Sequence, residues 1–289
     1  MKLVIERIVL ASLMGQVLAI GGCYRSAVSL RGAMTEYKAE RSVQADFAPG
    51  SKLLVCDNDG AINVSAGDVT ACRVTGTVFV HAPTKREARE IGEQVQVAAE
   101  PNDGALVISI KKPTMPRKSR FVSVDLDLSV PRRAHIDCRT QFGRIRLVGI
   151  EGDVKATSAF GDITCDDVHG ALDLRTQLGR VTCRQIVSDS LVARSQKGSM
   201  DISCADACPA EMVADVSTQW GRVRFKAPPH YQGALELESE CGSVKLDTPA
   251  DVRGTMIHST IMTDKVTGAI GSGQGRLRLF TNLGSVTLK

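Results

Sequence analysis

The feature that most constrains this chain is a glycine that returns on a near-constant period. Gly143, Gly161, Gly179, Gly198, Gly221, Gly242 and Gly284 follow one another at spacings of 18, 18, 19, 23, 21 and 42 residues. The residues around them repeat by column. Seven and five positions before each anchor stand apolar residues, from Ile136 and Cys138 in the first unit to Leu277 and Leu279 in the last. Three before is always a hydroxyl: Thr140, Ser158, Thr176, Ser195, Thr218, Ser239 and Thr281. Two after, Ile145, Ile163, Val181, Met200, Val223, Val244 and Val286 are again apolar, and the columns between are mostly polar. Apolar residues at every second position describe a strand with one buried face, whereas a helix would bring them back at three and four. Each unit therefore holds two short strands. Its glycine marks a sharp turn, where a positive φ is cheap for that residue alone. The last spacing, 42, reads as two periods of 21 with one anchor missing near Thr263 and Asp264.

Two architectures satisfy this pattern. In an antiparallel sandwich the strands pair as hairpins and columns carry no meaning. In a β-solenoid each unit is one coil, and equivalent positions stack about 4.8 Å apart into ladders. An unbroken column of hydroxyls needs the second arrangement, because hairpins require alternation only. The fold expected is all-β: a β-solenoid or β-helix-like stack of 18–23-residue repeats with one short helix near the N-terminal end. That helix is Thr84 to Glu100, where Ala88, Ile91, Val95 and Ala98 recur at helical spacing, and it suits a cap over the open end of the stack. A weaker unit, Asp57 to Val64 around Gly60, starts the stack near Ser51, and Lys111 to Arg120, with two prolines and five basic residues, reads as a solvated loop.

Composition narrows the classes. With 43% hydrophobic and 24% charged residues, most of the 289-residue chain can bury a core, which excludes a disordered polymer. Aromatics at 4% argue against a transmembrane barrel and against an aromatic-lined sugar groove. The balance of 36 basic and 32 acidic residues gives no nucleic-acid footprint.

The N-terminus speaks to location. Lys2 and Arg7 precede an apolar run from Ile8 to Ile20, too short to span a bilayer and suited to a signal peptide. The run closes on Ile20-Gly21-Gly22-Cys23, which resembles the bacterial lipoprotein signal. The resemblance implies cleavage before Cys23 and lipidation of its thiol. Several acyl chains at about 0.8 kcal/mol per buried methylene anchor a protein stably. The expected organisation is a lipoprotein signal peptide over 1–22, the lipidated Cys and a flexible tether over 23–45, and a single β-solenoid domain over 46–289. The expected place is extracytoplasmic, anchored in the bacterial outer membrane or cell surface, where the eight remaining cysteines are free to oxidise.

The run from Ser51 to Leu288, about four fifths of the chain, resembles the bacterial putative adhesin family of Gly-anchored β-repeat envelope proteins. Val130-Pro131-Arg132-Arg133-Ala134 and the T-x-x-G-x-I/V units after it carry the likeness. It implies a non-enzymatic, adhesin-like or scaffolding role with a surface polysaccharide or an envelope protein as partner, no cofactor and no catalytic residues. An envelope sensor or accessory protein of a regulatory system, and a polysaccharide-active β-helix enzyme, are the alternatives.

Candidate side chains are few. Arg144, Arg180 and Arg222 form a column one residue after the anchors, suited to acidic glycans or phosphates. Against that stands a solvated face in which Asp137, Asp173 and Asp215 pair with the basic columns. Cys204 and Cys208 sit in a loop that breaks the period and suit a local disulfide. Cys56 and Cys72 flank the first unit and suit another, while Cys165 and Cys183 read as stacked buried thiols. No metal is expected: Asp166, Asp167, His169 and Asp173 lack the six to eight converging oxygens that calcium takes.

Overall fold

The computed structural model describes residues 34–114, 120–247, 252–259 and 263–289. The signal segment and Cys23 lie outside the described residues, as does part of the basic loop.

The alternation seen in sequence becomes two parallel ladders. In the first, the strands preceding each glycine stack in register: Leu53, Ile136, Val154, Leu172, Leu191 and Ala214 follow one another as direct partners. In the second, the strands after each glycine stack likewise, through Ile62, Ile145, Ile163, Val181, Met200 and Val223. Both rows are buried, and the space between them is filled by Val, Ile, Leu, Ala and Cys. A third, narrow ladder of single bridges joins Arg133, Glu151, His169 and Val187 on another corner.

The end of the stack is not in chain order. The strand Gly275–Leu288 inserts between two earlier units, pairing in parallel with Val213–Trp220 and Val223–Lys226 on one side and with Gly233–Leu246 on the other. Its Gly284 therefore lies between Gly221 and Gly242. The 42-residue spacing is a detour, not two periods with an anchor lost. After Leu246 the chain runs back as Val252–Ser259 and Asp264–Ile270, antiparallel to each other, and the second of these pairs antiparallel with Gly233–Leu246.

Antiparallel strands also close the N-terminal end. Thr35–Asp46 pairs with Ala71–Ala82, which pairs with Phe121–Pro131, and that strand lies parallel to Ile62–Gly67. Gln96–Asn102 and Ala105–Lys111 form a hairpin whose Asp103 and Gly104 both take positive φ, the two-residue turn that suits the strand twist. The result is an all-β fold, with one helix among the described residues, whose single continuous sheet is nearly closed and barrel-like. The plain solenoid expected from the repeats is corrected to that extent, because antiparallel strands extend the sheet beyond the parallel ladders at both ends.

Two further expectations change. The tether over 23–45 ends earlier, since Thr35–Asp46 is a full strand. Its alternation is real, but Tyr37, Ala39, Arg41 and Val43 make a weak apolar face. The helix Lys85–Gln94 completes that face: Tyr37 packs against Gly92, and Arg41 donates to the Gly92 carbonyl at 3.0 Å. This helix is capped by Thr84, whose hydroxyl accepts from the Glu87 N–H, and stops short of the expected Glu100. From Val95 onward the residues face in alternately and form a strand.

The expected positive φ holds at Gly221, Gly242 and Gly284, and the other four anchor glycines have a different cause. Gly143, Gly161, Gly179 and Gly198 do not occupy the left-handed region. A Cβ built on any of them would fall closer than 3.0 Å to the carbonyl oxygen of the stacked glycine one coil earlier. Backbones approach there as only Gly permits. Gly161→Ala should therefore lower the unfolding free energy by about 3 kcal/mol or more, the cost of overpacking a site that cannot relax. Gly67, where an added methyl meets nothing within 4 Å, should tolerate Ala within about 0.5 kcal/mol. Urea denaturation of the two variants checks both.

Candidate functional site

The corner at each glycine sets the geometry of everything outside it. The hydroxyl three residues before each anchor turns inward and donates to the glycine carbonyl of the adjacent coil. Ser158 reaches Gly143 at 3.0 Å, Thr176 reaches Gly161 at 3.0 Å, Thr218 reaches Gly198 at 3.0 Å and Thr281 reaches Gly221 at 2.9 Å. These hydroxyls are buried, and each satisfies a carbonyl that the bend turns inward. Gly and Thr/Ser are thus two halves of one contact.

With that residue inward, its neighbours on either side point out. They form two columns flanking a trough that crosses seven coils, from Asn58 to Asn282, with a volume of about 800 Å³. One wall is a column of amides: Gln141, Gln177, Gln196, Gln219 and Asn282, with Ala159 as the one gap. The other wall carries Arg139, Arg175 and Arg194 among hydroxyls. Each of these arginines is neutralised by a carboxylate: Arg139 by Asp137 at 2.8 Å, Arg175 by Asp173 at 2.7 Å and Arg194 by Asp215 at 3.0 Å. Two of the pairs are bidentate forks, which fix the guanidinium plane.

Beside the amide wall runs a ridge of exposed apolar side chains, one residue before each glycine. Phe142, Phe160, Leu178, Trp220 and Leu283 stand there in register with Lys197. Phe142 and Phe160 stack with centroids 4.9 Å apart, and Lys197 lies 4.3 Å above the Trp220 ring. Three of the chain's few aromatics are concentrated here, at 50%, 43% and 52% exposure for Phe142, Phe160 and Trp220. They stand outside the trough, whose lining holds Phe280 as its one aromatic. Neither the amide column nor this ridge was singled out from sequence, although the same column reading extends to both.

Arg144, Arg180 and Arg222 lie beyond the ridge, all exposed, with Asp162 and Ser199 on the coils between them. The acids expected to pair with them are held by the arginines of the trough instead. Among the described residues no ion pair engages these three guanidinium groups.

The cysteines follow burial more than pairing. Cys165 and Cys183 are direct ladder partners, both buried and free. Cys56 faces out and Cys72 faces in on different strands, so the bridge considered between them is not formed. Cys204 and Cys208 come together without a disulfide. Cys208 is instead held by the Ser188 backbone, accepting from its N–H at 3.4 Å and donating to its carbonyl at 3.2 Å. The neighbouring Cys204 thiol, with the Ser188 contact, lowers Cys208 to about 7, while the nearness of Cys208 and burial push Cys204 up. The acids weighed for calcium are dispersed: Asp166 faces Arg146 and Arg184, Asp167 meets His169 at 3.2 Å, and Asp173 belongs to Arg175.

One acid lines the trough. Asp57 stands at its N-terminal end, where the repeat has a hydroxyl, and pairs in register with Thr140. Its Oδ1 accepts from Asp59 N–H at 3.2 Å and faces Lys112 at 3.4 Å, while Oδ2 is buried without a partner. Burial pushes this carboxyl above the ordinary range, against the pull of Lys112.

No family model matches the chain, and no curated protein matches it. Among solved structures it is similar to a putative cell adhesion protein from Clostridium sporogenes, at 9% identity and TM-score 0.38 over 87% of this chain and 99% of that one. It is also similar to a putative adhesin from Bacteroides fragilis, at 14% identity and TM-score 0.40 over 87% and 97%. A putative lipid binding protein from Parabacteroides distasonis is similar at 8% identity and TM-score 0.29 over 86% and 96%.

The raised Asp57 has a pH consequence. A carboxyl that holds its proton more tightly folded than unfolded contributes stability below its unfolded value and loses it as pH rises through the folded one. At neutral pH the ionised, buried group is a net cost. Asp57→Asn should raise the urea midpoint at pH 7, and the gain should shrink as pH falls toward 4. A constant difference across that range would contradict the assignment.

Proposed function

We propose that this chain is a lipid-anchored bacterial cell-envelope protein whose β-solenoid coils, extended at both ends by antiparallel strands, form an adhesin-like, non-enzymatic binding surface for an envelope polymer or protein. The observation that carries the reading is the trough crossing seven coils, where outward side chains repeat by column and offer one interaction many times over. Repetition of a shallow polar site suits avidity along an extended partner, whereas catalysis needs a few converging groups. Asp57 is the one acid lining the trough among the described residues, and hydrolysis of a glycosidic bond takes two opposed carboxyl groups.

The anchor in this reading is Cys23, with residues 1–22 removed as a signal peptide. The first described strand begins at Thr35, so the stretch between lipid and that strand reaches at most about 40 Å. That holds the trough closer to the membrane than a tether through residue 45 would, and it places the partner in the envelope or on its surface. Labelled palmitate should be incorporated by the wild-type chain and lost in Cys23→Ala with the fold intact by circular dichroism. Label retained in the variant overturns the anchoring. Purified protein should also sediment with cell envelopes stripped of lipid by detergent, where its acyl chains have no bilayer to enter, and failure to do so overturns the binding role.

A further inference from the structure

The trough has a period, a width and a charge, and together these select a class of occupant. We infer that it takes a single strand of neutral linear polysaccharide lying along the stack axis, across the β-strands, with the amide column and the arginine column hydrogen-bonding its hydroxyls from either side. This rests on the binding role proposed above and names the partner.

The period comes first. The walls present equivalent groups once per coil, about 4.8 Å apart. A polypeptide laid in the same direction presents its outward groups every second residue, about 6.7 Å apart, and falls out of step within two coils. A linear glycan repeats a ring, with its hydroxyls, at close to one coil. The seven coils from Asn58 to Asn282 span about 29 Å, room for a short oligosaccharide segment held at successive rungs. The two walls come from residues two apart on each strand, so their backbones stand about 6.7 Å from each other and admit one chain.

The chemistry agrees with the period. Gln141, Gln177, Gln196 and Gln219 each carry a donor and an acceptor, the pairing a hydroxyl needs in either role. Arg139, Arg175 and Arg194 across the trough are already matched by Asp137, Asp173 and Asp215. They offer their remaining N–H donors without net charge, so the trough complements a neutral ligand. An acidic polymer would seek the unpaired Arg144, Arg180 and Arg222, which lie on the far side of the ridge.

Trp220 is the chain's only tryptophan, next in sequence to Gln219 and half-exposed on the ridge, so it reports on occupancy. The full chain, kept in detergent, is titrated with cellohexaose, xylohexaose and mannohexaose, and with alginate oligomers as the acidic comparison, following Trp220 emission and calorimetric heat. At least one neutral hexaose should bind and shift the emission. Gln177→Ala/Gln196→Ala/Gln219→Ala, all on the surface, should weaken it tenfold or more. Arg144→Ala/Arg180→Ala/Arg222→Ala should leave it unchanged. No binding of any neutral hexaose, binding indifferent to the glutamine triple variant, or binding of alginate alone overturns the inference. Sedimentation with the stripped envelopes separates the two levels: protein that sediments with them yet ignores these glycans keeps the binding role and loses the neutral-glycan assignment, and protein that does neither loses both.

Discussion

Everything in this molecule depends on how closely two backbones can pass at a corner. Where the chain turns from one ladder to the other, the glycine of each coil lies against the carbonyl of the glycine before it. The buried hydroxyl three residues earlier donates to that carbonyl. The contact does two things at once. It removes the space a side chain would need, and it satisfies a polar group that has left the regular strand pairing. Because the same contact recurs at each coil, it fixes the register of both ladders. A one-residue slip would place a Cβ against a carbonyl and turn the apolar columns outward.

This corner also explains which parts of the fold were legible from sequence. The columns of apolar residues, glycines and hydroxyls could be read because each is enforced by a contact repeated in every unit. The direction of the strands followed from those columns, and the central coils stack in parallel as the repeats require. What the repeats could not reveal lies where their contact ends. Thr35–Asp46 carries no glycine and pairs antiparallel, so nothing in the periodic signal reached it. The helix was placed correctly at its start, where Thr84 caps it, and too long at its end, because Val95 and Ala98 fall at helical spacing while belonging to a strand. Asp103-Gly104 is a local hairpin signal that stands outside the 18-residue spacing.

The order of the last units was hidden for a different reason. Sequence gives the interval between Gly242 and Gly284 but not which neighbour each will meet. Gly275–Leu288 satisfies both glycine contacts at once, bonding Thr281 to the Gly221 carbonyl and receiving Ser239 on its own Gly284 carbonyl at 3.0 Å. Two coils adjacent in sequence are thereby parted by a third that arrives later. The central coils form by local closure, whereas this one requires the chain to travel out and return, a longer loop to close. At the other end of the ladder the hydroxyl gives way to Asp57. There the next backbone oxygen beside Gly60 belongs to Val124, on the strand Phe121–Pro131 outside the repeat. A residue that stands in the hydroxyl column but has no glycine carbonyl to meet is free to become an acceptor, and Lys112 takes up its charge.

The outer surface inherits its regularity from the same contact, which is why a site could be found by column more readily than by motif. Charge on it was harder to judge from sequence. The arginine columns looked alike, yet one is neutralised along its own strands and between coils, and the other is left unpaired beyond the ridge. What separates them is orientation. Residues four before the glycine share a strand face with the acids two positions earlier, so Arg139 meets Asp137 and Arg175 meets Asp173. Residues one after it stand past the turn and point away from those acids. Exposed pairs of this kind add little stability. Their effect is to cancel charge and hold a guanidinium plane in place, so the trough wall becomes a set of fixed donors with no net field. A surface built this way discriminates by spacing and hydrogen bonding, not by charge, and that is the property a repeating uncharged partner would use.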